Sequence, residues 1–314
     1  MTIAKYRDAL PQIEGKMFLT DGGLETTLIF LENIDLPHFA AFDLLQHEKG
    51  KAAIQDYLQK YIDIAKSRKT GIVLDTPTWR ASSDWGKLLG YSPDALDAVN
   101  RDAIKLLHSL RNTHETDSSP CVVNGVIGPR GDGYNPAFLM SADEATAYHG
   151  AQIKSFASAG ADMITAVTMT YIDEAIGVAR NGAEHGIPSV ISFTVETDGR
   201  LPTGETLREA IEKTDAATDN GPAYYMINCA HPTHFDKEVE DGGDWRHRIG
   251  GLRANASALS HAELDEAEEL DDGNPHEFGQ QHLDLMKHLP NLAVIGGCCG
   301  TDHRHVDAIH QHLH

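Results

Sequence analysis

Cysteine is scarce in this 314-residue sequence, and it has neither a long apolar run nor an excess of basic side chains. Its four cysteines are too few for a disulfide scaffold, which takes more cysteines in a shorter chain. Residues 1–18 contain no apolar core and no arginine-rich amphipathic stretch, so we expect neither a signal peptide nor a transit peptide. No segment predicts a membrane span. The expected compartment is the cytosol, where thiols stay reduced and can bind metal.

Basic charge is also in deficit, with 26 lysines and arginines against 47 acidic residues and a formal net charge of −21. This charge argues against nucleic acid and against an anionic membrane as partners, because both are themselves negative. Neither GxGxxG nor a GxxxxGK sequence followed by Ser or Thr comes after any predicted strand, which disfavours nucleotide-binding α/β folds. We therefore expect small-molecule partners, and the sequence leaves open whether the protein is a monomer or a homo-oligomer.

Short β-rich runs alternate with helical patterns along nearly the whole chain. Eight runs predict strands, at residues 16–23, 71–78, 121–129, 161–169, 187–195, 223–232, 245–257 and 291–300. Helical periodicity is found at residues 57–70, 92–113, 141–160, 171–186, 206–218, 274–290 and 302–313. In the third of these helices, Ser141 is the expected N-cap and Gly160 the expected C-terminal stop.

Alternation of this length predicts an α/β fold with a parallel sheet, and eight units predict a single (β/α)8 TIM-type barrel over residues 1–314. A doubly wound open sheet is the alternative. Two acidic stretches, near residues 235–248 and 261–273, are interpreted as insertions or loops within the one domain. In such a barrel the chemistry collects at the C-terminal ends of the strands.

Three of the four cysteines fall at this end of the predicted barrel. Cys229 follows the sixth strand, and Cys298 and Cys299 follow the eighth, whereas Cys121 opens the third strand at the other end. Three thiolates favour Zn2+, and the absence of a fourth cysteine at this end predicts the open position of a catalytic site. A zinc ion in such a site deprotonates an incoming thiol, which suits alkyl transfer to sulfur. We expect Gly296 and Gly297 to form a sharp turn that lets Cys298 and Cys299 face one ion.

Several motifs resemble those of one enzyme family. They are DGGLETTL near the start, GPRGDGY after the third strand, SFTVETDGRLPTGETLREA in the fifth unit, INCAHP after the sixth strand and IGGCCGTDHRHV at the end. Together they resemble the zinc-dependent homocysteine S-methyltransferase family, which includes betaine and S-methylmethionine enzymes, and they run from residue 18 to 309. The resemblance implies a (β/α)8 barrel with Zn2+ on Cys229, Cys298 and Cys299. It also implies homocysteine as the thiol acceptor and a sulfonium or ammonium methyl donor such as S-methylmethionine, S-adenosylmethionine or a betaine.

The chain departs from the family pattern at two places. The glutamate that holds the acceptor's amino group after the fourth strand is replaced by Val167. After the second strand the family has a Thr/Asn-Thr-aromatic pattern, where this chain reads LDTPTWRAS with Asp75 and Trp79. Methyl transfer to a thiol is therefore expected, but the residues around the acceptor's amino-acid part are expected to differ from those of the family.

The residues expected to bind substrate lie at or near the same strand ends: Asp21, Gly22, Gly23, Glu25, Asp75, Thr76, Trp79 and Asn228. Trp79 is a candidate for cation–π contact with the onium donor. Asp75 is our first choice for binding the acceptor's ammonium, flanked by Asp21. The alternatives are that Asp75 caps the turn before Pro77, or that the acceptor has no amino group. No acid–base residue is expected to be essential, because the leaving group departs neutral.

Other classes of function stay open at this point. The chain could be a methyltransferase of the same fold acting on another thiol, a different zinc-thiolate enzyme, or a non-catalytic zinc-binding barrel. A metal-free enzyme with a cysteine nucleophile is disfavoured, because it needs one activated thiol and not three clustered ones.

Overall fold

Eight parallel strands close into a barrel in the computed structural model of the protein, which describes residues 4–136, 138–267 and 269–313. They follow one another in chain order, and the first pairs with the eighth through Phe18 and Val294. This confirms the (β/α)8 barrel and excludes the open sheet. The strands are β1 Phe18–Leu19, β2 Gly71–Asp75, β3 Cys121–Ile127, β4 Met163–Met169, β5 Ser189–Phe193, β6 Tyr224–Asn228, β7 Ile249–Ala254 and β8 Val294–Gly297.

Helices surround the barrel and connect its strands. The α-helices in the described part of the chain are α1 Leu24–Thr26, α2 Glu48–Arg68, α3 Ser83–Leu88, α4 Pro93–His114, α5 Ala142–Ala159, α6 Ile172–Glu184, α7 Leu207–Thr218, α8 Pro232–Glu240, α9 His261–Asp265, α10 Pro275–Met286 and α11 His303–Leu313. Short 3-10 turns lie at Pro11–Glu14, Pro37–Phe39, Ala41–Gln46 and Asp244–Arg248, and a π turn at Thr27–Leu31. None of these described helices is long and apolar enough to cross a membrane.

Local sequence signals set the ends of α5. The Ser141 hydroxyl accepts a hydrogen bond from the backbone N–H of Glu144, and the Glu144 carboxylate accepts one from the backbone N–H of Ser141. This capping box satisfies two N–H groups that the helix itself leaves unbonded. Gly160 ends the helix with a left-handed φ of 90°. The predicted N-cap and C-terminal stop are both confirmed.

The lower half of the barrel interior, toward the N-terminal ends of the strands, is filled by apolar side chains. These come from seven of the eight strands, mostly from their N-terminal ends: Phe18, Val73, Val122, Met163, Val190, Tyr224, Met226 and Val294. A second apolar layer lies between the strands and the surrounding helices. Because the lower half is closed by packing, a cavity can open only at the C-terminal ends of the strands.

The loop assignment of residues 235–248 is wrong for its first part. Helix α8 covers Pro232–Glu240, and a 3-10 turn covers Asp244–Arg248. Phe235 and Val239, four residues apart, are buried on one side of α8, and Pro232 stands at its first turn. The acidic residues between them masked this pattern. The stretch 261–273 is also not only loop, because it begins with the short helix α9.

One buried carboxylate ties the N-terminal segment to the bottom of the barrel. Asp162 is fully buried, and its Oδ2 accepts hydrogen bonds from Arg111 Nη1 at 2.7 Å and from the backbone N–H of Val123 at 2.8 Å. Its Oδ1 accepts from the backbone N–H groups of Lys5 and Tyr6. This single side chain therefore joins α4, β3 and the N-terminal segment.

We expect Asp162→Ala to lower the free energy of unfolding by about 3–5 kcal/mol, because it leaves the Arg111 guanidinium buried without its counter-charge. Chemical denaturation at a fixed metal concentration measures this. The control is Asp102→Ala, which removes an exposed ion pair with Lys105 and should cost about 0.5 kcal/mol or less. Equal losses in the two variants would contradict the expectation.

Candidate active site

Three cysteine side chains meet at the C-terminal end of the barrel. The sulfurs of Cys229, Cys298 and Cys299 all lie within 4.8 Å of one another, and the Cys229 and Cys299 sulfurs are 3.6 Å apart. Sulfurs bound tetrahedrally to one zinc ion at about 2.3 Å are about 3.8 Å apart. The group therefore has the spacing to hold a metal ion. Cys121 is buried at the start of β3, at the opposite end of the barrel, as expected.

The backbone brings the three thiols together in a different way from the one we predicted. Gly296 and Gly297 are the last two residues of β8, so the prediction of a sharp turn at these glycines is wrong. The chain turns instead at residues 298–301, where Gly300 has a φ of 78°. A Cβ on Gly296 would collide with Thr20, and one on Gly297 with Thr301. Gly296 thus lets β8 approach the end of β1, and Gly297 lets the turn after β8 fold back against the strand.

Cys229 itself has a left-handed φ of 54°, which is uncommon for a residue other than glycine. Its backbone N–H donates to the carbonyl of Arg253 on β7, which holds this conformation. Strained backbone of this kind concentrates at functional sites.

Asn228 forms the framework beneath the thiols. Its Oδ1 accepts hydrogen bonds from the backbone N–H of Thr168 at 2.8 Å and from Ser192 Oγ at 2.6 Å. Its Nδ2 donates to Thr168 Oγ1 and, at 3.8 Å, to the sulfur of Cys298. The side chain thus joins the ends of β4, β5 and β6 to the turn after β8.

The thiols share hydrogen bonds that favour one thiolate over the others. Hydrogen bonds from Cys229 and Cys299 hold the pKa of Cys298 well below its usual range, although burial opposes the charge. The same contact with Cys298 raises the pKa of Cys229, and contacts with Cys229 and Cys298 raise that of Cys299. Further negative charge on the group would have to be compensated by a cation.

Tyr134 covers the thiol group from the loop after β3. Its hydroxyl lies 3.7 Å from the Cys229 sulfur and 3.6 Å from the Cys299 sulfur. The ring stacks on His261 with 4.0 Å between ring centres, and His261 Nε2 is 2.7 Å from the Cys229 carbonyl oxygen. Tyr134 lies within the GPRGDGY motif, but nothing local in the sequence indicates that this loop folds across to the cysteines.

Arg253 is the site residue that we missed. Its nearly buried guanidinium lies between two carboxylates, with Nη2 donating to Asp21 Oδ1 and Nη1 to Asp75 Oδ2. Nε donates to the carbonyl of Gly297 at 3.1 Å. Burial alone lowers the pKa of Arg253, but the two carboxylates raise it above its usual value. A charged residue in the otherwise apolar run IGGLRA was the signal in the sequence.

This ion pair changes the interpretation of Asp75. One of its oxygens accepts from Arg253 and the other from Asn124 Nδ2 at 2.6 Å. The suggested cap of the turn before Pro77 is therefore wrong. The carboxylate already has a positive partner, which weakens our first choice of Asp75 for the acceptor's ammonium. Burial raises the pKa of Asp21, its companion, to about 7.

A cavity of about 420 Å³ opens beside the thiols. All eight residues expected to bind substrate line it: Asp21, Gly22, Gly23, Glu25, Asp75, Thr76, Trp79 and Asn228. Cys229, Cys299 and Tyr134 form part of the same wall. The residues expected to bind substrate and two of the three cysteines therefore line one cavity, as their predicted place at the same strand ends implied.

One side of this cavity is aromatic. Phe30, Phe39 and Trp79 line it, and the rings of Phe39 and Trp79 meet edge to face with centres 6.4 Å apart. The guanidinium of Arg80 lies 4.6 Å from the Trp79 ring centre. Trp79 is therefore at the cavity as expected, but its ring already contacts one cation.

A sequence model of the homocysteine S-methyltransferase family matches residues 18–313 of the chain. The protein belongs to this family. Membership makes it an enzyme of the homocysteine S-methyltransferase type.

Solved structures of the homocysteine methyltransferase MmuM from Escherichia coli have the same fold. The oxidised form superposes with a TM-score of 0.74 at 18% identity, covering 96% of this chain and 97% of that one. The metallated form gives a TM-score of 0.72 at 17% identity, covering 94% and 96%. The shared architecture is thus retained although few residues are identical.

Within this homocysteine S-methyltransferase fold, Val167 lines the cavity near the end of β4, at the position where the resemblance led us to expect a glutamate. It is nearly buried and apolar. The Val167 side chain itself offers no partner to a positive group on a ligand.

Replacement of Arg253 by Met tests the buried ion pair. We expect a loss of about 3–5 kcal/mol in the free energy of unfolding at pH 8, because Asp21 and Asp75 would then face each other without a cation. The loss should shrink toward pH 5. Burial raises the pKa of both carboxyl groups above the value near 4 that they have in the unfolded chain. As the pH rises above that value the groups become charged, and without Arg253 that negative charge destabilises the folded state.

Unfolding curves at pH 5 and pH 8 measure this difference. Arg208→Met, which removes an exposed pair with Glu212, is the matched control and should change little at either pH. A loss for Arg253→Met that stays constant across this range would contradict the account.

Proposed function

We propose that the protein is a zinc-dependent methyltransferase that moves a methyl group from a sulfonium or ammonium donor to the thiol of homocysteine, giving methionine. The observation that carries this proposal is the meeting of three cysteine sulfurs within 4.8 Å of one another, two of them, on Cys229 and Cys299, in residues that line a cavity. Family membership supports the same reaction. The cytosolic location and a role in methionine biosynthesis stay predictions.

Cys229, Cys298 and Cys299 are the residues that would hold the metal. A bound Zn2+ would supply the positive charge that keeps the acceptor's thiol deprotonated at neutral pH. Three soft thiolates with no fourth cysteine among the described residues at this end of the barrel suit a site that leaves room for an incoming sulfur.

The chain's own side chains would orient the reactants and exclude water. The aromatic side chains of Phe30, Phe39 and Trp79 line the cavity and suit the methyl-bearing donor. Tyr134 lies over the thiol group, so it must move or share its place when the acceptor's sulfur arrives. The donor leaves as a neutral molecule, so no side chain has to give it a proton.

A second candidate has one observation in its favour. Val167 is apolar, and Asp21 and Asp75 are already paired with Arg253, so a thiol without an amino group would also fit. A non-catalytic zinc-binding barrel fits less well, because a structural site has no need of an adjoining cavity of about 420 Å³.

We expect about one zinc ion per chain, and we expect Cys229→Ser, Cys298→Ser and Cys299→Ser each to lose both zinc and activity. Metal analysis of purified protein measures the first. Activity is measured as methionine formed from homocysteine with S-methylmethionine, S-adenosylmethionine or glycine betaine. Cys121→Ala, at the far end of the barrel, should keep both. Stoichiometric zinc in the triple variant would rule out this site.

Transfer is expected to be direct, from the donor to the acceptor's sulfur in one displacement. A donor with a chiral methyl group should then give methionine with inverted configuration at that carbon. Net retention would mean that the methyl group first moves to a side chain of the enzyme, and this outcome would refute direct transfer.

A further inference from the structure

Six carboxylates line the cavity, and five of them are accounted for. Asp21 and Asp75 are paired with Arg253. Asp132 and Asp271 accept hydrogen bonds from nearby backbone N–H groups, and Asp271 also accepts one from a neighbouring hydroxyl. Glu269 is exposed. The sixth, Glu25, has no hydrogen bond or ion pair with another side chain of the described residues.

Glu25 has a fixed place beside the cysteine turn. It lies in α1, whose preceding residue Gly23 donates its backbone N–H to the carbonyl of Thr301 at 3.0 Å. On its other side, the backbone N–H of Gly300 donates to Thr26 Oγ1 at 3.3 Å. These bonds hold the helix on the turn that carries Cys298 and Cys299.

The charge of Glu25 is poorly compensated in this place. Burial raises its pKa to about 7, against the opposing effect of a hydrogen bond from its own backbone N–H; the nearby Cys298 and Asp21 raise it further, and Arg253 lowers it slightly. A partly buried carboxylate without a counter-charge is costly, and a bound cation removes that cost.

We propose that Glu25 binds the cationic amino group of the thiol acceptor, in place of the carboxylate that Val167 does not supply. This rests on the proposed function and narrows its substrate class to thiols that carry an amino group. In homocysteine only a short carbon chain separates sulfur from nitrogen. A sulfur at the cysteine group therefore leaves the ammonium within reach of α1, which is bonded to the same turn.

The position of Glu25 favours the acceptor over the donor, whose charge is also positive. Glu25 lines the cavity from α1, whose neighbouring residues Gly23 and Thr26 are bonded to the Cys298–Thr301 turn, beside the sulfurs that the acceptor's thiol must approach. The aromatic residues that suit the onium donor, Phe39 and Trp79, belong to other segments of the cavity lining. We therefore assign Glu25 to the acceptor and these aromatic residues to the donor.

The test compares thiols with and without the amino group on zinc-loaded protein, without donor. Calorimetry measures the binding of homocysteine and of 4-mercaptobutanoate, its analogue lacking the amino group. For Glu25→Gln we expect homocysteine to bind about 30-fold more weakly or worse, with little change for 4-mercaptobutanoate. Glu25→Asp keeps the charge and should retain part of the preference.

Glu32→Gln is the matched control. It removes a carboxylate seven residues further along the same helical segment, where it forms an exposed pair with Lys60. It should bind both thiols as the parent does.

Three results would overturn the inference. Equal weakening of both thiols, or none, would leave Glu25 without a role in amino-group binding while zinc-dependent methyl transfer stood. A raised donor KM in Glu25→Gln, measured with 4-mercaptobutanoate as acceptor, would assign the carboxylate to the donor. If zinc-loaded parent protein binds neither thiol, the proposed function itself fails, and with it the inference.

Discussion

The rim of the barrel depends on one buried guanidinium. Arg253 reaches from β7 across the barrel mouth to Asp21 after β1 and Asp75 at the end of β2, and it bonds the carbonyl of Gly297 on β8. A charge in this place would be prohibitively costly alone, and so would either aspartate. The three groups therefore stabilise one another only in the closed barrel, and they fix the strand ends on which the site is built.

This ion pair divides the polar groups of the cavity into two sets. Asp21 and Asp75 are engaged by the framework, as is Asn228, whose bonds go to Thr168 and Ser192. Glu25 remains for a ligand. Arg253 is close enough to the thiol group to favour negative charge on Cys298. The placement of charge thus separates the residues that support the site from those available to a substrate.

Much of the fold could be predicted from local patterns. The eight apolar runs became the eight strands, and Ser141 and Gly160 bound α5, because capping and periodicity are properties of adjacent residues. Helix α8 was missed where acidic residues surround the pair Phe235 and Val239, whose burial only the neighbouring elements decide. In a sequence, a run of charged residues is hard to distinguish from a short amphipathic helix whose apolar face consists of only two residues.

The meeting of the cysteines could be predicted because the C-terminal ends of the strands of a parallel barrel share one rim. The role of each polar residue at this rim could not be predicted from the sequence. Gly296 and Gly297 are small to let β8 approach β1 and its own turn, and Asp75 is acidic to meet an arginine 178 positions away in the chain.

The sequence by itself determined the strand order, the barrel and the meeting of Cys229 with Cys298 and Cys299, because these follow from periodicity and from the geometry of parallel strands. Only the tertiary structure decided that Arg253 neutralises two of the pocket's carboxylates and that Tyr134 covers the thiols. Such pairings depend on distances between residues remote in the chain, and burial, which sets the strength of each charge, is defined only once the barrel has closed.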